Sequence, residues 1–205
     1  MPHLFFTSDE HYGHKNMITY VGRPYKNIEE ETRDFINRHN ARVTPGMAEH
    51  TMTWHLGDLF WNTMSIGECT QIMYALNGSH SLVLGNHDEL IEENLDAFKP
   101  FFKEIVLYKD MKVSNKQRLT LCHYAMRTWR GSHKGAWQLY GHSHAELPEL
   151  GQSFDVGVDN PICKFAPLSL DEVRREMEKR KPHHVIKKVW TGKDFPTDHL
   201  PEGSH

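Results

Sequence analysis

Through the first half of the chain, short apolar runs alternate with stretches of helical periodicity, the pattern of successive β–α steps. Leu4-Phe5-Phe6-Thr7-Ser8 predicts a first strand that ends at once in Asp9-Glu10-His11. Asn27, with Glu30 three positions on, reads as a weak capping box that opens a helix. Residues 51–56 predict a second strand, stopped by Gly57-Asp58. Ile66, Cys69, Ile72, Met73 and Leu76 recur at helical spacing, with Gly78 as the C-cap. Residues 81–84 predict a short buried strand ended by Gly85-Asn86-His87-Asp88, and a helix follows to about Phe98.

The pattern then changes. Residues 105–108, 111–113, 118–123, 137–141 and 154–158 all read as strands, and no helix separates them before Ser169. Ser114-Asn115-Lys116-Gln117 has the composition of a hairpin turn, so this half predicts a second, more antiparallel sheet. Ser169 and Glu172 form a capping box, and Leu168 with Val173 suits its hydrophobic staple. That helix should run to about Lys181, before Pro182. The fold class expected is α/β, as one domain over residues 1–181. Residues 182–205 are expected to be a tail whose Gly203-Ser204-His205 resembles an expression-tag scar.

A chain of 205 residues is long enough to bury a core without disulfides. Lys+Arg 24 against Asp+Glu 27 leaves a net charge of −3, which excludes a binder held to nucleic acid mainly by global positive charge. No apolar run approaches the ~20 residues of a membrane span, and the N-terminus lacks the parts of a signal peptide. The three cysteines, at 69, 122 and 163, are odd in number and scattered. They support neither a disulfide framework nor a thiolate zinc site, and a cytoplasmic setting is the expectation. The sixteen histidines are the outlier. Imidazole ligates transition metals and moves protons near neutral pH.

Five segments carry metal-competent side chains at or just beyond predicted strand ends: Asp9-Glu10-His11, Gly57-Asp58, Gly85-Asn86-His87-Asp88, His123 and Gly141-His142-Ser143-His144. Ligands of open α/β sheets gather outside the carboxyl ends of the strands. In an extended D-x-H or H-x-H segment, residues i and i+2 point to the same side and reach one site. Glycine before Asp58, Asn86 and His142 lets the backbone turn tightly and approach an ion. Carboxylate, amide and imidazole without thiolate suit Mn, Fe or Zn better than Ca. The set exceeds what one ion uses; two ions sharing a carboxylate would use it all. Such a pair lowers the pKa of a shared water and clamps an in-line displacement at phosphorus.

The order D-x-H, G-D, G-N-H-D, H, G-H-x-H, from Asp9 to His144, resembles the metallophosphoesterase (calcineurin-like phosphoesterase) superfamily. TSDEHYGHKN, HLGD, LGNHD and FDVGVDN…FAPLSLDEV are similar to its small bacterial and phage branch. The resemblance implies a four-layer α/β/β/α sandwich and a phosphoric ester hydrolase with two divalent or trivalent metal ions. By that resemblance Asp9, His11 and His144 hold the first ion, Asp58 bridges, and Asn86, His123 and His142 complete the second. His87 would contact phosphate and protonate the leaving oxygen, with Asp88 orienting it.

Protein phosphatases of that superfamily carry an arginine just before G-N-H and another shortly after G-D. Here those neighbourhoods read Leu84-Gly85-Asn86-His87 and Gly57-Asp58-Leu59-Phe60-Trp61. A guanidinium fork suits a phosphate dianion. Its absence, with Phe60, Trp61 and Trp129 as apolar wall, favours a small phosphodiester or nucleotide-type substrate. His14, Arg23 and Arg127 are candidate substrate contacts, with Lys15 and Arg130 also within reach on loops, and residues 124–134 are expected to face the substrate. The alternatives are a phosphomonoesterase or dinucleoside polyphosphate hydrolase, a non-catalytic scaffold, and a nucleic-acid-binding module built on Arg127, Trp129, Arg130 and Lys134. Membrane is not an expected partner, and nucleic acid is expected only as substrate.

Overall fold

Side chains decide where the helices begin. The Asn27 Oδ1 accepts the Glu30 N–H at 2.8 Å and starts a helix over Ile28–Arg42. Ser169 and Glu172 satisfy each other's backbone in a full capping box. The same box forms at Ser65 and Glu68, which the apolar spacing alone did not single out. Each such cap is worth about 0.5–2 kcal/mol.

The computed structural model describes residues 3–148 and 150–182. In chain order the elements are β1 (His3–Thr7), α1 (Met17–Tyr20), α2 (Ile28–Arg42), β2 (Thr51–His55), α3 (Ile66–Ala75), β3 (Ser79–Val83), α4 (Glu89–Glu93), α5 (Leu95–Phe98) and β4 (Phe102–Val106). There follow β5 (Lys109–Lys112), β6 (Arg118–Leu121), β7 (Trp137–Tyr140), β8 (Ser153–Asp155), β9 (Leu168–Ser169) and α6 (Leu170–Glu178). The fold is mixed α/β with two mixed sheets, ordered β4-β3-β2-β1-β9 and β5-β6-β7-β8. In the first, β1 to β4 are parallel and β9 runs antiparallel to β1.

The second sheet corrects an expectation. Only β5 and β6 pair antiparallel, across the Ser114 turn whose Oγ accepts the N–H groups of Lys116 and Gln117. β6, β7 and β8 are parallel. A parallel neighbour needs a crossover, and residues 122–136 supply it without a regular α-helix, so helical periodicity gave no warning. Internal bonds hold that crossover: Trp129 Nε1 donates to the Ala136 carbonyl at 2.8 Å, and Gln138 Nε2 to the Tyr124 carbonyl at 2.9 Å.

Phe6, Trp54 and Val83 of the first sheet pack against Leu119, Leu121, Trp137, Leu139 and Phe154 of the second. On the helical side Leu82 meets Phe35, Cys69, Ile72, Met73, Ile91 and Phe98. Helices, first sheet and second sheet are thus three successive layers. Val173 and Met177 of α6 join the core between the sheets, and α6 touches β1, β9 and β8. Leu168 and Val173 share that core, as a staple requires. Helix α6 ends at Glu178, short of the expected Lys181. Among the described residues no helix is long and apolar enough to cross a membrane. The expected tail beyond Pro182, with His183-His184 and Gly203-Ser204-His205, lies outside the described residues.

The layer between the first sheet and α2 is not wholly apolar. His55 of β2, His80 of β3 and His39 of α2 are all buried there, with ring centroids 5.3 Å apart for His55–His80 and 5.5 Å for His39–His80. Burial lowers His39 to about 4 and His80 to about 2 from an ordinary 6.5. These imidazoles take up a proton only when the chain unfolds. Their contribution to stability is therefore complete above about pH 6.5 and is lost as pH falls toward 4, at about 1.4 kcal/mol per pH unit for each histidine. Urea unfolding at pH 7, 6 and 5 should show this acid slope, and His80→Phe should make it shallower by one proton. Equal slopes in the two proteins would refute the assignment.

Candidate metal centre

The carboxyl ends of β1, β2, β3, β6 and β7 converge, and each carries one of the five segments. Backbone bonds lash the turns together: Asp9 N–H to Gly57 carbonyl at 3.0 Å, His11 N–H to Asp58 carbonyl at 2.9 Å, and Gly141 N–H to His123 carbonyl at 2.9 Å. Two donor groups result, Asp9 with His11 and His144, and Asp58 with His123 and His142, each with its ligand atoms within 4.8 Å of one another. Asp58 stands between them. Its Oδ2 lies 3.5 Å from His11 Nε2, and its Oδ1 lies 3.5 Å from His123 Nε2. Asn86 Oδ1 is 3.1 Å from the same His123 nitrogen. All seven expected ligands therefore meet at one place.

The backbone is strained to bring them there. Asp9, His11, Asp58, His142 and His144 all take left-handed φ values, between 45° and 67°. Such angles are uncommon outside glycine, cost of order 1–3 kcal/mol each, and cluster at functional sites. Two of the glycines act differently from the expectation. Gly85 and Gly141 are needed for room rather than for an unusual φ: a Cβ on Gly85 would collide with Asp58 Oδ1, and one on Gly141 with Ser8 Oγ and the Asp9 carboxylate.

The chemistry of the donor set fits metal ions. Burial, then the Asp155 and Asp58 carboxylates, push Asp9 well above the usual carboxylate range, so a cation among them would relieve a buried like-charge conflict. Burial also lowers His11 to about 2 and lowers His123, which keeps both imidazoles in the neutral form that ligation requires. His123 Nδ1–H donates to the Leu56 carbonyl at 2.7 Å, and His144 Nδ1–H to Asp159 Oδ2 at 2.7 Å. In each ring Nε2 is left with its lone pair free to ligate.

Several expected roles change. Arg23 is no substrate contact: its side chain is buried, paired with Asp159 at 2.8 and 2.9 Å and Glu31 at 3.1 Å, and bonded to the carbonyls of Asp9 at 2.7 Å and Glu10 at 3.0 Å. It holds the loop that presents Asp9 and the carboxylate that orients His144. Asp88 does not orient the His87 ring. Its oxygens accept the N–H groups of Asp58, Leu59 and Gly85 at 2.7–2.9 Å, tying the ends of β2 and β3 together. Phe60 is fully buried in the helical core, and Trp129 is buried within the crossover, so neither forms an apolar wall. Arg130 pairs with Asp110 and Arg127 is exposed.

His87 belongs to neither donor group. Its ring lies 5.5 Å from that of His11 and 5.2 Å from that of Trp61. The His14 ring stacks on Trp61 at 3.5 Å, nearly parallel to it, and lies 5.6 Å from His11. Tyr124 packs beside His123 and His142 at 5.0 and 4.9 Å. Tyr124 opens the stretch 124–134 expected to face the substrate, and it alone of that stretch has a ring contact with the donor histidines among the described residues. Asp155 and Asp159 were visible within FDVGVDN but had no assigned role. Asp155 accepts the Ser143 hydroxyl at 2.6 Å and the Ala145 N–H at 2.9 Å, which shapes the turn bearing His142 and His144.

No family model matches the chain. It is 27% identical over 195 residues to the uncharacterized protein MJ1445 of Methanocaldococcus jannaschii, covering 91% of this chain and 97% of that one. Among solved structures, AQ665 of Aquifex aeolicus, a protein of unknown function, shares the fold with a TM-score of 0.61 at 23% identity, over 86% of this chain and 98% of that one.

The room at Gly141 yields a sharp expectation. Gly141→Ala should abolish Mn2+ binding at the Asp9 group, because the added methyl displaces the Asp9 carboxylate. Gly46→Ala, with nothing within 4 Å of its new methyl, should bind Mn2+ as wild type does. Equilibrium dialysis with metal analysis checks both, and an unchanged Mn2+ content in Gly141→Ala would contradict the expectation.

Proposed function

We propose that this chain is a two-metal phosphoric ester hydrolase of the metallophosphoesterase type, acting on phosphodiesters. The observation that carries the reading is the position of Asp58, whose two carboxylate oxygens each lie 3.5 Å from an imidazole of a different donor group. Asp9, His11 and His144 would hold one ion, Asn86, His123 and His142 the other, and Asp58 both. The ions, Mn, Fe or Zn, supply a nucleophile near neutral pH and neutralise charge on the phosphoryl oxygens. The superfamily's four-layer sandwich is part of this proposal, extending the three layers described above. Free cysteines at 69, 122 and 163 suit a reducing, cytoplasmic setting.

In this reading the chain's residues divide the work. His87, outside both donor groups and open on one side, protonates the departing ester oxygen, a contribution of typically ~10²–10⁴-fold. The His14–Trp61 stack offers a flat face for one ester substituent. Asp88 and Arg23 keep the loops in place. The diester preference rests on charge. Arg23 is committed to Asp159 and Glu31, and Arg130 to Asp110, so neither supplies the fork that a monoester dianion favours. A diester carries one charge fewer and a second group to bind, and binding of that remote group assists orientation at phosphorus.

Aryl phosphomonoesters and diesters with saturating Mn2+ test the reading. Wild-type protein should hydrolyse both, with the larger kcat/KM for the diester. Asp58→Asn should lose metal and turnover together. A monoester preference would remove the diester assignment, and full metal content with full turnover in Asp58→Asn would remove the shared-carboxylate assignment.

His87→Ala separates ligation from proton transfer. It should keep its metal content while losing turnover about 10²-fold or more on alkyl or phenyl esters and much less on nitrophenyl esters, whose leaving oxygen needs little protonation. Equal losses across leaving groups would reassign His87 to holding phosphate.

A further inference from the structure

Glu10 lies between two expected ligands and is itself not one. Asp9 and His11 turn toward the metal centre with φ of 59° and 52°, while the Glu10 side chain enters the layer between the first sheet and α2. There Glu10 Oε1 accepts from His55 Nδ1 at 2.7 Å, and His55 Nε2 lies 3.1 Å from His80 Nδ1. His55 Nδ1–H is given to the carboxylate, and its Nε2 shares a hydrogen bond with His80 Nδ1. His80 is held in turn by a backbone hydrogen bond at Leu76. His39 encloses the pair, its ring 6.4 Å from that of His55 and its Nε2–H spent on the Asn77 carbonyl at 2.9 Å.

Nothing duplicates the contact. The second carboxylate oxygen of Glu10 is buried without a partner, so His55 provides the hydrogen bond that sets the Glu10 side chain. His55 sits in β2, three positions before Asp58, and is buried in a paired strand. The bond therefore ties the strained turn after β1 to a rigid neighbour.

We infer that the buried Glu10–His55–His80 chain is a positioning device for the first metal group: it holds the Asp9–His11 turn in its left-handed conformation and so sets that group's affinity for a metal ion. The inference rests on the two-metal reading above. Outer partners of metal ligands typically contribute ~10–100-fold in affinity, and His55 acts at one further remove, through the backbone that joins the two ligands.

Mn2+ is the probe, followed by electron paramagnetic resonance and by metal content per chain. Wild-type protein should show a spin-coupled Mn2+ pair. His55→Phe should weaken the first ion by up to ~10-fold, below the effect of a direct outer partner, so that at moderate Mn2+ the coupled signal gives way to a single-ion signal from the Asp58 group. His55→Asn, whose amide N–H takes the place of Nδ1–H, should retain the pair. Glu10→Met removes the acceptor with little change in volume and gives a second route to the same loss if His55→Phe does not fold. Ile91→Val, a mild change in the helical core, should lower the unfolding midpoint while both ions stay. A coupled pair that persists at unchanged affinity in His55→Phe or Glu10→Met overturns the inference. No coupled pair in wild type would instead overturn the two-metal reading itself.

Discussion

Negative charge is forced together where the strands end, and the rest of the site follows from that. Asp9, Asp58, Asp88 and Asp155 are buried within one layer of turns. Each needs compensation, because a buried carboxylate without partners is costly. Asp88 and Asp155 find it in the chain itself, accepting backbone N–H groups and the Ser143 hydroxyl. Asp9 and Asp58 also receive backbone N–H groups, from His142 and His87, yet Asp9 still lies far above its normal pKa range. The site thus contains two carboxylates held by backbone N–H groups and the Ser143 hydroxyl, of which burial still raises Asp88 to about 6, and a further pair facing imidazoles. That pair is where a cation would lower the energy of the fold.

The two sheets make this crowding possible. Their facing surfaces are apolar from Phe6 and Trp54 through Leu139 and Phe154, so the polar turns collect at one end of the sandwich. Burial of large apolar side chains, each worth ~1.5–3 kcal/mol, offsets five left-handed residues and several desolvated carboxylates. Strain of this kind persists only where the surroundings over-determine it. Here the determinants are identifiable: Arg23 on the Asp9 and Glu10 carbonyls, Asp88 on three N–H groups, and Asp155 on the Ser143 turn.

Much of the site is legible in the sequence. The five donor segments follow from short motifs at strand ends, since a strand and its terminating turn are local in sequence, and the family resemblance implies which seven side chains within them are the donors. The helix caps at Asn27 and Ser169 were legible for the same reason. What failed was non-local. Arg23 reads from the sequence as a substrate contact on a loop because its partners Glu31 and Asp159 are 8 and 136 positions away. Phe60 follows a ligand in sequence but faces the helices. The parallel pairing of β6 with β7 depends on a crossover without helical periodicity, and periodicity is the signal on which that distinction rests. Asp88 shows the same limit: its neighbour His87 is adjacent in the chain, whereas its hydrogen-bond partners include the far turn at Asp58 and Leu59.

For the proposed hydrolase, the arrangement of supports also bears on where discrimination between substrates would reside. Arg23, Asp159, Asp88 and Asp155 all act from beneath, on buried atoms, and leave the ligands little freedom. On the open side stand His87, the His14–Trp61 stack, Tyr124 and the exposed His142. Their contacts are ring to ring rather than charge to charge. On the proposed reading, these rings would add selection by shape and stacking, because aromatic faces reward area and fit, to the preference that charge sets. Aryl or nucleobase substituents would gain from Trp61, whose ring is half-buried and already paired with His14. A compact, hydrated substituent would not. In the proposed hydrolase that selection would therefore fall to the His14–Trp61 pair and to Tyr124 beside His123 and His142, above donors that make no such distinction.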